Sequence, residues 1–275
     1  MVWPLPELPM RWEALPCPLE AGWALIRLWE LPKRADNGLS LGGFSAAAYQ
    51  ASDDRLWLVS DASRGYLLPV GPRLVLRDQS GTPLPPSFDA EGLVLTGNHG
   101  VWIVSEGRRQ AGHQARLQRF SLRNVWLLET KRLPPAWTAR PGQGLAVNQG
   151  PESLTRSSDG GLLLAAEAPL LQDLAQGDTD GVRLAHLDLE GVVEERGRLP
   201  LDSVSSDPKE TDPKETDPKE TVGLTELLAL DGPPALLALI RRHRPLHWTA
   251  KLQLFSWPAR PSPLALQPIT GWDFT

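Results

Sequence analysis

Polar and apolar positions alternate along this chain in a strand, tight turn, strand pattern that recurs four times. The copies are SAAAYQASDDRLWLVSD (Ser45 to Asp61), EGLVLTGNHGVWIVSE (Glu91 to Glu106), ESLTRSSDGGLLLAAE (Glu152 to Glu167) and ELLALDGPPALLALIR (Glu226 to Arg241). A polar residue marks each end, and the paired markers lie 16, 15, 15 and 15 residues apart. Between the strands stand Ser-Asp-Asp-Arg, Gly-Asn-His-Gly, Ser-Asp-Gly-Gly and Asp-Gly-Pro-Pro, residue types that supply the dihedrals of tight turns. The outer ends of an antiparallel hairpin lie together. The pattern therefore predicts Ser45 beside Asp61, Glu91 beside Glu106, Glu152 beside Glu167, and Glu226 beside Arg241.

A larger period surrounds these hairpins. GYLLPV and RLVLRD follow the first, ARLQRFSL (Ala115 to Leu122) and NVWLLETKRL (Asn124 to Leu133) the second. VRLAHLDL (Val182 to Leu189) and VVEERGRL (Val192 to Leu199) follow the third, and TAKLQLFSW (Thr249 to Trp257) then LALQPI the fourth. Each unit thus reads as four strands, the layout of a β-propeller blade. Unit starts lie 46, 61 and 74 residues apart, a spread that surface loops absorb. With Gly22 to Leu31 as a further strand that completes the last blade, the tally is about 17 strands. An all-β chain is predicted, a β-propeller of about four to six blades. Residues 1–20 are expected to form a Pro-rich arm, and residues 21–275 the propeller domain.

Composition agrees with short strands and many turns: 27 prolines and 24 glycines in 275 residues, with 41% apolar residues to build a core. The net charge of −5 lacks the basic excess that neutralises nucleic-acid phosphates, so no nucleic-acid partner is expected. DPKETDPKETDPKET (Asp207 to Thr221) cannot bury apolar surface, and its prolines break helix and ladder alike; a disordered loop over 205–222 is predicted. Cys17 is the single cysteine, which rules out an intramolecular disulfide and fits a reducing compartment. The first residues lack a basic stretch followed by an apolar one, and no apolar run is long enough to span a bilayer. The expectation is a soluble monomer, cytoplasmic as written, or periplasmic or secreted if the true start codon lies upstream.

The chemistry lies in the markers. Asp61, Asp89, Glu91, Glu106, Glu152, Glu167 and Glu226 are expected around one opening. Clustered carboxylates repel unless a cation neutralises them, and Ca²⁺ takes six to eight oxygen ligands. Such a cation can bind and polarise a substrate phosphate or activate water, and Arg241 and Arg242 can add bidentate phosphate contacts. The same acids also suit structural duty, capping turns and pairing with Arg or Lys between blades. Ser45 in GFSAA lacks the second glycine and the following helix of a nucleophile elbow. His243 and His247 are split by Pro245, which argues against a helical zinc pair. The 11 tryptophans are expected to pack between blades.

An ordered set of phrases resembles the phytase-like family, described as having esterase-like activity: GGFSAAAY, WLVSD, FDAEGLVL, VWIVSE, NQGPESL, LLLAAEAPL, and GLTELLAL followed by LLALIRR. They run from about residue 40 to 257. The resemblance implies a β-propeller and, by analogy with propeller phytases, a calcium-assisted hydrolase of a small phosphate ester. On that reading Asp61, Glu91, Glu106, Glu152, Glu167 and Glu226 are metal ligands, and Glu91, Glu152 and Arg241 carry catalysis. The competing readings are a non-catalytic propeller that binds a small ligand or protein partner, and an esterase with an activated serine.

Overall fold

The structure, a computed structural model, describes residues 31, 33–34, 41–61, 66–69, 74–85, 88–97, 99–107, 113–179, 181–201, 221–230, 235–244, 247–257 and 266–274. The expected N-terminal arm, the expected strand at Gly22 to Leu31 except Leu31 itself, and the core of the DPKET loop lie outside the described residues.

The fold is all-β. Among the described residues, sixteen strands form four antiparallel sheets of four, each built from strands consecutive in the chain. The first sheet holds β1 (Phe44–Gln50), β2 (Arg55–Ser60), β3 (Tyr66–Pro69) and β4 (Leu74–Val75); the second holds β5 (Ala90–Thr96), β6 (Gly100–Ser105), β7 (Arg116–Ser121) and β8 (Leu127–Arg132). The third holds β9 (Pro151–Arg156), β10 (Leu162–Ala166), β11 (Gly181–Leu187) and β12 (Val193–Pro200); the fourth holds β13 (Thr221–Leu230), β14 (Ala235–Arg244), β15 (His247–Ser256) and β16 (Pro268–Phe274). The predicted hairpins are the first two strands of each sheet. No helix among the described residues is long and apolar enough to cross a membrane.

The chain divides into two compact units. One takes in Met1–Leu133 and Gly150–Leu154, the other Pro134–Gln149 and Thr155–Thr275. In the first, Trp57, Val59, Leu67, Leu93, Ile103 and Phe120 form one buried cluster, with Phe88 meeting Phe120 edge to face at 6.1 Å. In the second, Leu163, Leu184, Leu224, Leu236, Ile240 and Phe255 do the same. Strict alternation fails where both faces are covered: β6 and β10 are buried throughout, while β8 at its sheet edge alternates.

Two features depart from the sequence reading. In the run LALQPI, Leu266 and Gln267 precede β16, which starts at Pro268; β16 is an edge strand, and proline is tolerated at a strand's first residue. The second unit also holds a short α1 (Leu171–Ala175), which no periodicity announced. Its buried Asp173 takes bonds of 2.9 and 2.5 Å from Arg183 and lies 3.2 Å from Arg198. Burial opposes ionisation of Asp173, but the two arginines hold its carboxyl below the usual range. Arg183 also bonds Glu195, which accepts from the indole of buried Trp137 at 2.9 Å.

Candidate functional site

Three of the hairpins share a bulge beside their outer end. The pairing jumps from Phe44 to Ala46 in the first, from Ala90 to Gly92 in the second, and from Leu224 to Glu226 in the fourth. The extra residues are Ser45, Glu91 and Thr225. A bulge bends its strand and re-aims a side chain that regular pairing would send elsewhere. Backbone bonds close two of these ends alike: the Asp61 amide donates to Gly43 at 2.9 Å, and the Glu106 amide to Asp89 at 3.1 Å. Two markers of the sequence pattern, Ser45 and Glu91, are therefore bulge residues. In the fourth hairpin that place belongs to Thr225, and Arg241 stands opposite Gly223. Glu226 lies one residue farther along and accepts the amide of its own neighbour Leu227 at 2.9 Å.

In the first unit, Asp61, Asp89 and Glu91 each offer a carboxylate oxygen, and the three oxygens lie within 4.8 Å of one another. All three residues are half-buried. Asp61 ends β2, Asp89 precedes β5, and Glu91 is the β5 bulge. The Glu91 carboxyl is pushed up to about 8, first by burial and then by the charges of Glu106, Glu152 and Asp89, against a hydrogen bond from Ser45. The bulge residues of two hairpins are thus bonded, and Glu106 and Glu152 extend the same negative field. Asp89, absent from the expected ligand set, is brought into it by position: it stands two residues before its hairpin marker. Glycines occupy that place before the other marker positions, Gly43 before Ser45, Gly150 before Glu152 and Gly223 before Thr225.

Glu106 is half-buried and its Oε2 accepts the Gly150 amide at 2.9 Å. In the second unit Glu167 is 8% exposed, and Arg241 Nη2 donates to its Oε1 at 2.8 Å. Burial pushes the Glu167 carboxyl up, and Arg241 opposes the rise. The Arg241 guanidinium also stands 5.6 Å from the Trp248 ring, which His243 meets at 3.8 Å between centroids. His243 and Trp248 face each other across β14 and β15, so the two histidines near Pro245 flank a hairpin tip. His186 is buried and lies 3.1 Å from Asp159.

An all-β chain, with bulges in three of its hairpins and three carboxylates drawn together from two of them, defines the class: an all-β protein with an acidic candidate cation site. The chain belongs to the phytase-like family (esterase-like activity of phytase), whose pattern matches residues 39–273. No curated protein matches the sequence. Among solved structures it is similar to a member of the DUF4221 family from Bacteroides vulgatus, at 11% identity and TM-score 0.46 over 89% of this chain and 71% of that one. It is also similar to U3-55K, at 12% identity and TM-score 0.38 over 82% of this chain and 64% of that one. A chain of the complex of KlAtg21 with the coiled-coil of AgAtg16 matches at 9% identity and TM-score 0.33, over 80% of this chain and 68% of that one.

Proposed function

We propose that this protein is a phytase-like hydrolase of a small phosphate ester, that Asp61, Asp89 and Glu91 hold Ca²⁺ or another hard divalent cation, and that the four sheets are blades of a β-propeller. The observation that supports the reading best is the meeting of three carboxylate oxygens within 4.8 Å. Hard oxygen donors in that number suit Ca²⁺, with backbone carbonyls and water to complete the shell. A bound cation there supplies charge for a phosphate oxygen and lowers the pKa of bound water. Glu91 retains its proton up to about pH 8, so cation binding displaces that proton and strengthens as pH rises. In this reading Glu152, whose charge raises the Glu91 carboxyl, accepts a proton from attacking water.

The test is the melting temperature in Ca²⁺ against EDTA, followed by phosphate release from a generic phosphomonoester. A ligand of the folded state alone raises the melting point. A calcium-dependent rise with turnover supports the reading; no rise and no turnover sinks it. A second reading, a non-catalytic module for a small ligand or protein partner, is favoured by Trp248, which is 58% exposed beside His243 and Arg241. Capture of a ligand or partner without turnover would select it.

A further inference from the structure

We propose that Glu106 is a positioning residue rather than a cation ligand: its carboxylate holds the Gly150 amide and so seats Glu152 beside Glu91. For its consequence at the cation this rests on the reading above; for the hold itself it does not.

The geometry is tight on both sides. A Cβ placed at Gly150 would lie 2.2 Å from the Glu106 Cβ and 3.0 Å from Oε2, so only glycine fits under that side chain. Pro151 follows, and its ring confines Gly150 to extended backbone and fixes its own φ. With the amide held and the next residue stiff, little freedom remains before Glu152. At the other end, a Cβ on Gly92 would lie 2.9 Å from the Glu152 carbonyl oxygen and 3.0 Å from the Leu154 Cβ. The chain at Glu152 therefore runs against the residue that follows the Glu91 bulge. A shift at Gly150 moves Glu152 relative to Glu91.

The second unit repeats the packing, though not the carboxylate–amide bond. The Leu224 amide donates to the Glu167 carbonyl at 2.8 Å, and a Cβ on Gly223 would lie 2.6 Å from Glu167 Oε1. A glutamate that ends a hairpin lies over a glycine near the start of the next one, in two places. At the third place Asp61 stands for the glutamate and Asp89 for the glycine, and there the carboxylates gather instead.

The experiment compares Glu106→Gln and Glu106→Asp in the full chain, with hydrogen exchange at the Gly150 amide and Ca²⁺ affinity by titration calorimetry. Gln keeps the reach and an acceptor oxygen but loses the charge; Asp keeps the charge but is one methylene short. The expected result is wild-type exchange and affinity, within about threefold, for Gln, and exchange about tenfold faster with affinity about tenfold weaker for Asp. Loss of affinity in Gln with the amide still protected would make Glu106 a ligand and overturn the proposal. So would an unchanged Gly150 amide in Asp. If the wild type binds no Ca²⁺, the cation reading fails by itself, and the exchange arm alone decides whether Glu106 holds Gly150.

Discussion

Glu91 in the first unit and Glu167 in the second are both carboxylates withdrawn from water beside a hairpin end, yet they meet opposite surroundings. Glu167 has a guanidinium at 2.8 Å. Glu91 has Asp61 and Asp89 within a cation's reach and feels the charges of Glu106 and Glu152. Burial raises both carboxyls; the neighbours lower one and raise the other further. Two hairpin ends thus hold a glutamate alike and differ in what faces it, an arginine at Glu167 and further acids at Glu91. The difference teaches that the hairpin sets the position of a charge, and its neighbours set its use.

The widest gap between the two should appear in pH dependence without added cation. The Glu91 carboxyl is raised from 4.5 to about 8, so the folded state binds this proton more tightly than the unfolded state. Its contribution is fully present below pH 4.5 and is lost as pH rises to about 8. Allowing for partial solvation, the loss is about 3 kcal/mol. Urea unfolding in EDTA at pH 5 and pH 9 measures it, and Glu91→Gln should flatten that slope. An equal slope in wild type and variant would show that Glu91 titrates in the folded protein as it does in the unfolded chain.

The next largest effect lies on the other side of the comparison. Arg241→Met leaves Glu167 buried without its cation, a loss of about 2–3 kcal/mol, moderated by the solvation of Arg241. Adding Glu167→Gln should restore most of it, because a neutral amide no longer needs the guanidinium. Thermal and urea unfolding of the two single variants and the double variant give the coupling. Additive losses would mean that the pair is not an interacting unit.

How far the sequence reaches is visible in these same residues. Alternation and turn chemistry reveal the hairpins, and the marker pairs of the first two can be read from spacing alone. The fourth slips by one because a bulge changes the count without changing the residue types: Glu226 looks like the marker, while the register gives the place to Thr225. Asp89 can be seen as an acid near Glu91, but its place in the cluster depends on the backbone bond from Glu106 that folds the chain back. The Asp173, Arg183 and Arg198 network joins α1 to β11 and β12, a tertiary apposition that no local period encodes. Nor does spacing pair Glu167 with Arg241, which are 74 residues apart.

The glycines sharpen the comparison at smaller cost. Gly150→Ala forces a Cβ to within 2.2 Å of the Glu106 Cβ, which is part of the stem and cannot swing away. Gly223→Ala meets the flexible end of Glu167 instead, at 2.6 Å. The expected losses are about 2 and about 1 kcal/mol respectively. Gly97→Ala, with nothing within 4 Å of its Cβ, is the control and should be close to neutral. Equal losses at all three positions would mean that the general effect of alanine, rather than the glutamate above the glycine, sets the result.

The smallest effect on stability should be the largest on the cation. Asp89→Gly places at this hairpin the residue that precedes the other marker positions, and removes one of the three clustered carboxylates, whose charge raises Glu91. In EDTA the melting point should stay close to that of wild type, because the lost charge relieves repulsion while the added glycine frees the backbone, each worth about 1 kcal/mol or less. In Ca²⁺ the same substitution should weaken binding about tenfold or more, read as a smaller cation-dependent rise in melting temperature. Asp61→Asn should act alike by another route, since the amide keeps the size and loses the charge. If both variants bind Ca²⁺ as wild type does, the three carboxylates are neighbours without a shared task, and the hairpin at Glu91 differs from the one at Glu167 only in lacking an arginine.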